Sequence, residues 1–140
     1  MSLYALDTDI LSLLQLDNLV VAKRVLQHSP DELAVTIISV EEQVRAWFTL
    51  CRRAKNRTEV AYAYERFTRA VSSLAVMSIL SFTESAIDRF ESLRRMKLGV
   101  KANDLRIAAI ALENSATVVT RNRSDFERIP GLRIEDWSVQ

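Results

Sequence analysis

Asp104-Leu-Arg-Ile-Ala-Ala-Ile-Ala-Leu112 reads as the opening of a helix that is apolar almost all round. Leu105, Ile107, Ala108, Ala109, Ile110, Ala111 and Leu112 leave it so little polar surface that it belongs inside a fold. Yet its first turn carries a carboxylate. An ionised Asp at a buried helix start is costly unless something compensates it. The helix dipole supplies part of that compensation. A metal ion would supply much more. Which of the two applies governs the function.

Outward from this helix, short apolar β-branched runs alternate with helical patterns. Leu3–Leu6, Leu33–Ile38 and Thr117–Thr120 read as buried strands, Val76–Leu80 as a further strand, third in chain order, and Leu132–Asp136 as a short edge strand. Asp7-Thr-Asp9 offers caps for a first helix. Leu19–Gln27, with Asn18 as its cap, reads as a second. Ser39-Val-Glu-Glu42 has the Ser-x-x-Glu spacing of a capping box. The helix it would open has an apolar face of Val44, Trp47, Phe48 and Cys51. A following helix has Val60, Ala61, Tyr64, Phe67 and Val71, and the two form a hairpin turning near Lys55-Asn-Arg57. Thr83 caps a helix that Gly99 would terminate. Arg121–Pro130 is a loop with room for one helical turn. Strands alternating with helices imply a mostly parallel sheet covered on both faces, and sites in such sheets form at the carboxyl ends of strands.

The 140 residues suit one domain, 1–140, with a sizeable core. A hydrophobic share of 49% with only two Gly and two Pro is that of a folded chain, not a disordered one. The net charge of +1 gives no global basic field, so charge position must carry any argument for a nucleic-acid partner. One cysteine, Cys51, excludes an internal disulfide and fits a reducing cytoplasm. No signal-peptide pattern and no membrane-spanning run is visible.

The acids follow the strand-end rule. Asp7 ends the first strand, Glu41 and Glu42 follow the second, and Asp125 lies in the loop after the fourth. Asp104 starts the helix that feeds the fourth. Carboxylates with no His or Cys partner suit Mg²⁺ or Mn²⁺. His28 stands alone, which argues against zinc. Such a site can activate a water for attack on a phosphodiester. Each acid also has a plainer role open to it. Asp7 can cap a helix, Glu42 can close its capping box, Asp104 can face a helix dipole with Asn103 as cap, and Asp125 can cap a single turn. Glu41 points about 100° away from Glu42, so only one of them faces the site. Arg45, Arg52, Arg53, Lys55 and Arg57 stand in an acid-free segment, either a patch for phosphate or a partner or a solvated helix face. Trp47, Phe48 and Trp137 read as packing residues.

The stretches Leu6-Asp-Thr-Asp-Ile-Leu-Ser12, Thr36-Ile-Ile-Ser-Val-Glu-Glu42, Asp104-Leu-Arg-Ile-Ala-Ala109, Thr120-Arg-Asn-Arg-Ser-Asp-Phe126 and Ile129-Pro-Gly-Leu-Arg-Ile-Glu-Asp-Trp137 together resemble the PIN-domain family, specifically its VapC-like toxins. The resemblance implies an α/β three-layer sandwich with a central, mostly parallel sheet of four to five strands, helices on both faces and a helical hairpin after strand two. It implies an endoribonuclease dependent on Mg²⁺ (or Mn²⁺), with Asp7, Glu42, Asp104 and Asp125 as the catalytic acids. Asp7, Asp104 and Asp125 are its candidate metal ligands. Thr8, Thr120 and Asn122 become supporting residues. It further implies an RNA substrate, a homodimer, and a small cognate antitoxin lying over the hairpin with its basic run. Ser115 departs from the family, where Gly often makes the turn into strand four.

Three other readings compete. A haloacid-dehalogenase-type phosphatase would use Asp7 as nucleophile and Asp9 as acid/base, but Leu11 and the short chain fit it poorly. A non-catalytic module would hold RNA or protein without cleaving. A two-component receiver would need an Asp after the third strand, where Ser81-Phe-Thr83 stand.

Overall fold

The computed structural model describes residues 2–140. Five short strands form its centre: β1 (Tyr4–Leu6), β2 (Leu33–Thr36), β3 (Ser78–Leu80), β4 (Thr117–Val119) and β5 (Ile134–Glu135). All four pairings are parallel, in the order β3-β2-β1-β4-β5. Parallel neighbours need long crossovers, and seven helices supply or flank them. These are α1 (Thr8–Gln15), α2 (Leu19–Leu26), α3 (Ile37–Arg53), α4 (Arg57–Ala75), α5 (Glu84–Arg95), α6 (Ala102–Glu113) and α7 (Arg123–Phe126).

The period-two alternation of β1 divides the core between the two faces of the sheet. Ala5 and Val118 pack with α5, α6 and α7, through Phe90, Leu93, Ile107, Ile110 and Phe126. Leu6, Val35 and Val119 turn the other way, onto Ile10, Leu11, Val21, Leu74 and Trp137. The near-uniform apolarity of α6 has its reason here. Residues Ala108 through Ala111 are fully buried.

Strand order reverses between β1 and β4. The chain leaves β1 toward β2 and β3 on one side, then returns to β4 on the other. A crevice at their carboxyl ends is the expected ligand position in such sheets. Asp7 follows β1 directly, and its backbone N–H donates to the Val119 carbonyl at 3.0 Å.

Several local expectations change. The second strand stops at Thr36, whose Oγ1 accepts the Ser39 N–H at 3.2 Å and so caps α3. The Ser39–Glu42 capping box therefore does not form; both residues lie inside the helix, and Glu42 is free to face elsewhere. Helix α5 ends at Arg95, before Gly99, with Lys97 taking the left-handed backbone (φ 52°). Asn103 is not the cap of α6. Lys101 holds that place without a side-chain bond, and Asn103 lies within the first turn. Pro30 opens a short 3₁₀ turn, Pro30–Glu32.

The hairpin α3–α4 turns where the sequence indicated, with Asn56 capping α4, but its inner face differs. Phe48, Val60, Tyr64 and Val71 are exposed, whereas Ala63, Ala70 and Leu74 are buried. Small residues let the two helices approach closely, and the large ones ride outside. Phe48 is thus no core residue. Trp137 is one, with no exposed surface. Ser115 adopts φ 51°, the left-handed backbone that glycine accepts with least strain. Among the described residues no helix is long and apolar enough to cross a membrane.

Candidate active site

Asp7, Glu42 and Asp104 come together in a cleft of about 220 Å³ at the carboxyl ends of β1 and β4. Three helix starts deliver them. Asp7 is the N-cap of α1, accepting the Ile10 N–H at 3.0 Å, so its plainer role is real. That bond uses only Oδ1, and Asp7 also lines the cleft. Glu42 arrives from the second turn of α3. Asp104 arrives from the first turn of α6. Asp125, in α7, joins through Asn122, whose Nδ2 donates to Asp125 Oδ2 at 2.9 Å and to Asp104 Oδ2 at 3.4 Å.

Neutral donors hold the other carboxylate too. Thr8 Oγ1 donates to Glu42 Oε1 at 2.6 Å, and Asn103 Nδ2 donates to Glu42 Oε2 at 3.3 Å. Thr120, fully buried, accepts the Asn122 N–H at 2.9 Å and so sets the loop that carries Asn122. Thr8 and Asn122 thus line the cleft, and Thr120 lies beneath its Asn122 loop. The sequence points to Asn103 only as a cap, whereas the structure places it in the cleft.

Electrostatics mark the cleft as strained toward negative charge. Burial pushes the Asp7 carboxyl up to about 6 from the ordinary 3.8. Hydrogen bonding from the Thr120 side chain and the Ile10 N–H pulls it partly back, while Asp9 and Asp104 push it further up. Asp104 is raised as well, by burial first and then by Glu42 and Asp125; Lys101 pulls it down. Among the described residues no Lys, Arg or His forms an ion pair with Asp7, Glu42 or Asp104. Asp125 has only Arg128, at 4.0 Å.

The donor set fits a hard divalent cation, being all oxygen and uncompensated by any ion pair at three of its four acids. Among the described residues no three His, Cys, Asp or Glu side chains already stand in metal-holding geometry. Glu42, Asp104 and Asp125 take hydrogen bonds from Thr8, Asn103 and Asn122, which hold them around the cleft.

Most other candidates fall outside the cleft. Glu41 is exposed and pairs with Arg45 at 3.1 Å. Arg45, Arg52, Arg53, Lys55 and Arg57 are all exposed on the hairpin, and none lines the cleft. Arg52 lies 4.6 Å over the Phe48 ring and donates to the Tyr64 hydroxyl at 3.0 Å. His28 stacks on Trp137, rings 4.7 Å apart. Asp9 lines the cleft rim, but it is exposed and pairs with Arg121 at 3.3 Å, a poor position for the acid/base of a phosphatase.

The family model for the PIN domain matches residues 4–132, a span that contains every acid of the cleft. The chain belongs to the PIN-domain family. Among PIN-domain relatives, a tRNA(fMet)-specific endonuclease VapC of Salmonella typhimurium is 33% identical over 73% of this chain and 89% of its own. A ribonuclease VapC1 of Haemophilus influenzae is 28% identical, covering 97% of this chain and 98% of its own. Solved PIN-domain structures share the fold over nearly the whole chain. The DNA-bound VapBC of Salmonella typhimurium superposes with a TM-score of 0.80 at 22% identity, covering 98% of this chain and 99% of its own. VapBC-1 from nontypeable Haemophilus influenzae gives 0.79 at 25%, with the same coverage.

Proposed function

We infer that this chain is an endoribonuclease, the toxin of a toxin–antitoxin pair, working with Mg²⁺ or Mn²⁺. The observation that carries the reading is the convergence of Asp7, Glu42 and Asp104 in one cleft, with Asp125 tied to Asp104 through Asn122. VapC ribonucleases among the relatives support it. Asp7, Asp104 and either Glu42 or Asp125 would hold the ion, directly or through water. When bound, a divalent ion lowers the pKa of a coordinated water and stabilises charge building on the scissile phosphate. The chain's own part is to hold those carboxylates in place. Thr8 and Asn103 orient Glu42, Asn122 keeps Asp104 and Asp125 adjacent, and Thr120 sets the Asn122 loop.

One domain spanning the chain carries this activity. Its partners are an RNA substrate, a cognate antitoxin and a second copy of the chain. A solved neighbour from Klebsiella pneumoniae is itself a toxin–antitoxin complex, which supports the antitoxin partner. The exposed hairpin, with Phe48, Tyr64 and the basic run, is the surface proposed for antitoxin or RNA. An RNA substrate and one free cysteine, Cys51, fit the cytoplasm.

The test is cleavage of a folded RNA pool rich in tRNA by the purified chain in Mg²⁺ or Mn²⁺. The Salmonella relative is named for tRNA(fMet), so tRNA is the first substrate class to try. Discrete fragments that vanish with EDTA and with Asp104→Asn are expected. RNA retained without cleavage in either metal would overturn the nuclease reading in favour of a binding module.

A further inference from the structure

Glu42 is gripped from two directions, and one of the grips leads to a cation. Asn103 Nδ2 donates to Glu42 Oε2 at 3.3 Å, while Asn103 Oδ1 accepts from Arg106 Nη1 at 2.7 Å. The amide orientation follows from chemistry. A guanidinium only donates and an ionised carboxylate only accepts, so the carbonyl must face Arg106 and the NH₂ must face Glu42.

Arg106 is itself fixed. Its guanidinium lies 4.8 Å over the Phe90 ring, and Phe90 is a buried core residue. Among the described residues Arg106 has no carboxylate within ion-pair distance. Its one side-chain hydrogen bond goes to Asn103. Asn103 and Arg106 are three apart on α6, so their side chains meet on one face.

We propose that Asn103 and Arg106 are a positioning pair that aims Glu42 into the cleft. Arg106 polarises the Asn103 amide, which strengthens its N–H as a donor. Asn103 then fixes the Glu42 carboxylate from α6, opposite the Thr8 hydroxyl that fixes it from α1. Only an amide can do this. Asp would set a second anion against Glu42, and Ala would remove the second donor to Glu42 and the side-chain acceptor of Arg106. The arrangement keeps a full positive charge one residue removed from Glu42, so the acid is oriented without being neutralised by an ion pair. The inference rests on Glu42 being a site carboxylate of the ribonuclease read above.

Steady-state cleavage of an RNA that the wild type cuts, at saturating Mn²⁺, tests it with Asn103→Ala, Arg106→Met, Arg106→Lys and the Ala/Met double variant. Outer groups that orient ligands typically matter about 10–100-fold, and a kcat loss in that range is expected for Asn103→Ala and Arg106→Met. KM for RNA should stay within about twofold, since a positioning pair acts on the chemical step rather than on substrate binding. The double variant should be no worse than the poorer single, because one relay is broken either way. Arg106→Lys, which keeps a charged donor, should recover most of kcat. Wild-type kcat in Arg106→Met, additive losses, or a loss expressed in KM alone would overturn the proposal. Should Asn103→Ala fail to fold, the Arg106→Met and Arg106→Lys pair decides by the same criteria. Asp104→Asn separates the two levels. Cleavage that Asp104→Asn abolishes but Arg106→Met leaves intact removes only the positioning pair. Wild-type cleavage that Asp104→Asn leaves intact removes the ribonuclease site itself.

Discussion

Thr8 and Glu42, 34 positions apart in the chain, share a hydrogen bond of 2.6 Å from the Thr8 hydroxyl to Glu42 Oε1. It ties the first turn of α1 to the second turn of α3 across the mouth of the cleft. Thr8→Val keeps the shape and removes the donor, so Glu42 loses its shortest restraint. The expected result is a kcat reduced by roughly tenfold, with thermal unfolding little changed because the site is half-exposed. Thr8→Ser should retain activity. Equal rates for Thr8→Val and wild type would show that the bond does not orient Glu42 for turnover.

Asp7 carries the clearest conflict between stability and function. Its carboxyl is raised from 3.8 to about 6, chiefly by burial. Between these values the folded state holds a proton that the unfolded state has released, so this contribution is fully present below pH 4 and lost as pH rises through 6. Ionised Asp7 therefore destabilises the metal-free fold at neutral pH. Asn keeps the cap to the Ile10 N–H without the charge. Asp7→Asn is expected to raise stability at pH 7.5 by up to about 3 kcal/mol while abolishing cleavage. The gain should shrink toward zero near pH 4. Urea unfolding at both pH values checks it, and a variant no more stable than wild type at pH 7.5 would contradict the buried charge.

Protons and a divalent ion compete for the same carboxylates. Asp7 and Asp104 both hold protons to higher pH than ordinary Asp. Cleavage should decline as pH falls through about 6, and a tenfold rise in Mg²⁺ should move that decline to lower pH. Lys101 pulls the Asp104 value down, so Lys101→Ala should move the decline to higher pH. Rate against pH at two Mg²⁺ concentrations reads both shifts. A decline that ignores Mg²⁺ would place the titrating group outside the ion's ligands.

The acids were legible because strand ends are legible. Buried β-branched runs at Leu33 and Thr117 and an apolar run at Leu3 fix where a parallel sheet presents its carboxyl edge, and Asp7 and Asp125 follow such runs. Glu42 was harder. A Ser-x-x-Glu spacing reads equally as a capping box, and only the folded chain reveals that Thr36 takes the cap and releases Glu42. Asn103 and Arg106 were not legible, because their partner lies 61 positions away from Asn103 and no local pattern encodes that contact. The hairpin misled for another reason. Aromatic residues at helical spacing suggest a core, yet a helix pair joined through Ala63 and Ala70 leaves Phe48 and Tyr64 outside. Periodicity identifies a face without saying whether anything covers it.

Trp137 anchors the far edge of the site. It is completely buried, stacked on His28, tilted against Tyr4 at 5.2 Å, and donates its Nε1–H to Glu135 Oε1 at 2.9 Å. The Glu135 carbonyl in turn accepts the Thr120 N–H at 2.9 Å, next to the Asn122 loop. Removing an indole from such a core typically costs about 3–5 kcal/mol. Trp137→Ala should lose that much in urea unfolding, whereas Trp137→Phe should lose less. A Trp137→Ala loss below about 1 kcal/mol, within the range of ordinary surface changes, would mean the packing does not anchor β5.

The basic run on the hairpin predicts a different kinetic signature from the cleft. Arg52, Arg53, Lys55 and Arg57 are exposed and lie away from the acids, so they cannot act on the reacting bond directly. If RNA lies along this face, each cation contributes through phosphate contact, and affinity falls steeply with salt. Removing one such contact lowers the slope of log affinity against log salt by somewhat under one for single-stranded RNA. Arg53→Ala with Lys55→Ala should therefore raise KM at low salt, flatten its salt dependence and leave kcat unchanged. Arg52 differs, because its guanidinium is already committed to the Phe48 ring and the Tyr64 hydroxyl. Arg52→Ala should also loosen that aromatic face, where a base or an antitoxin side chain would stack. A salt slope unchanged in the Arg53/Lys55 variant would assign the hairpin to the antitoxin. Loss of antitoxin binding in the same variant, measured by calorimetry, would then be the matching result.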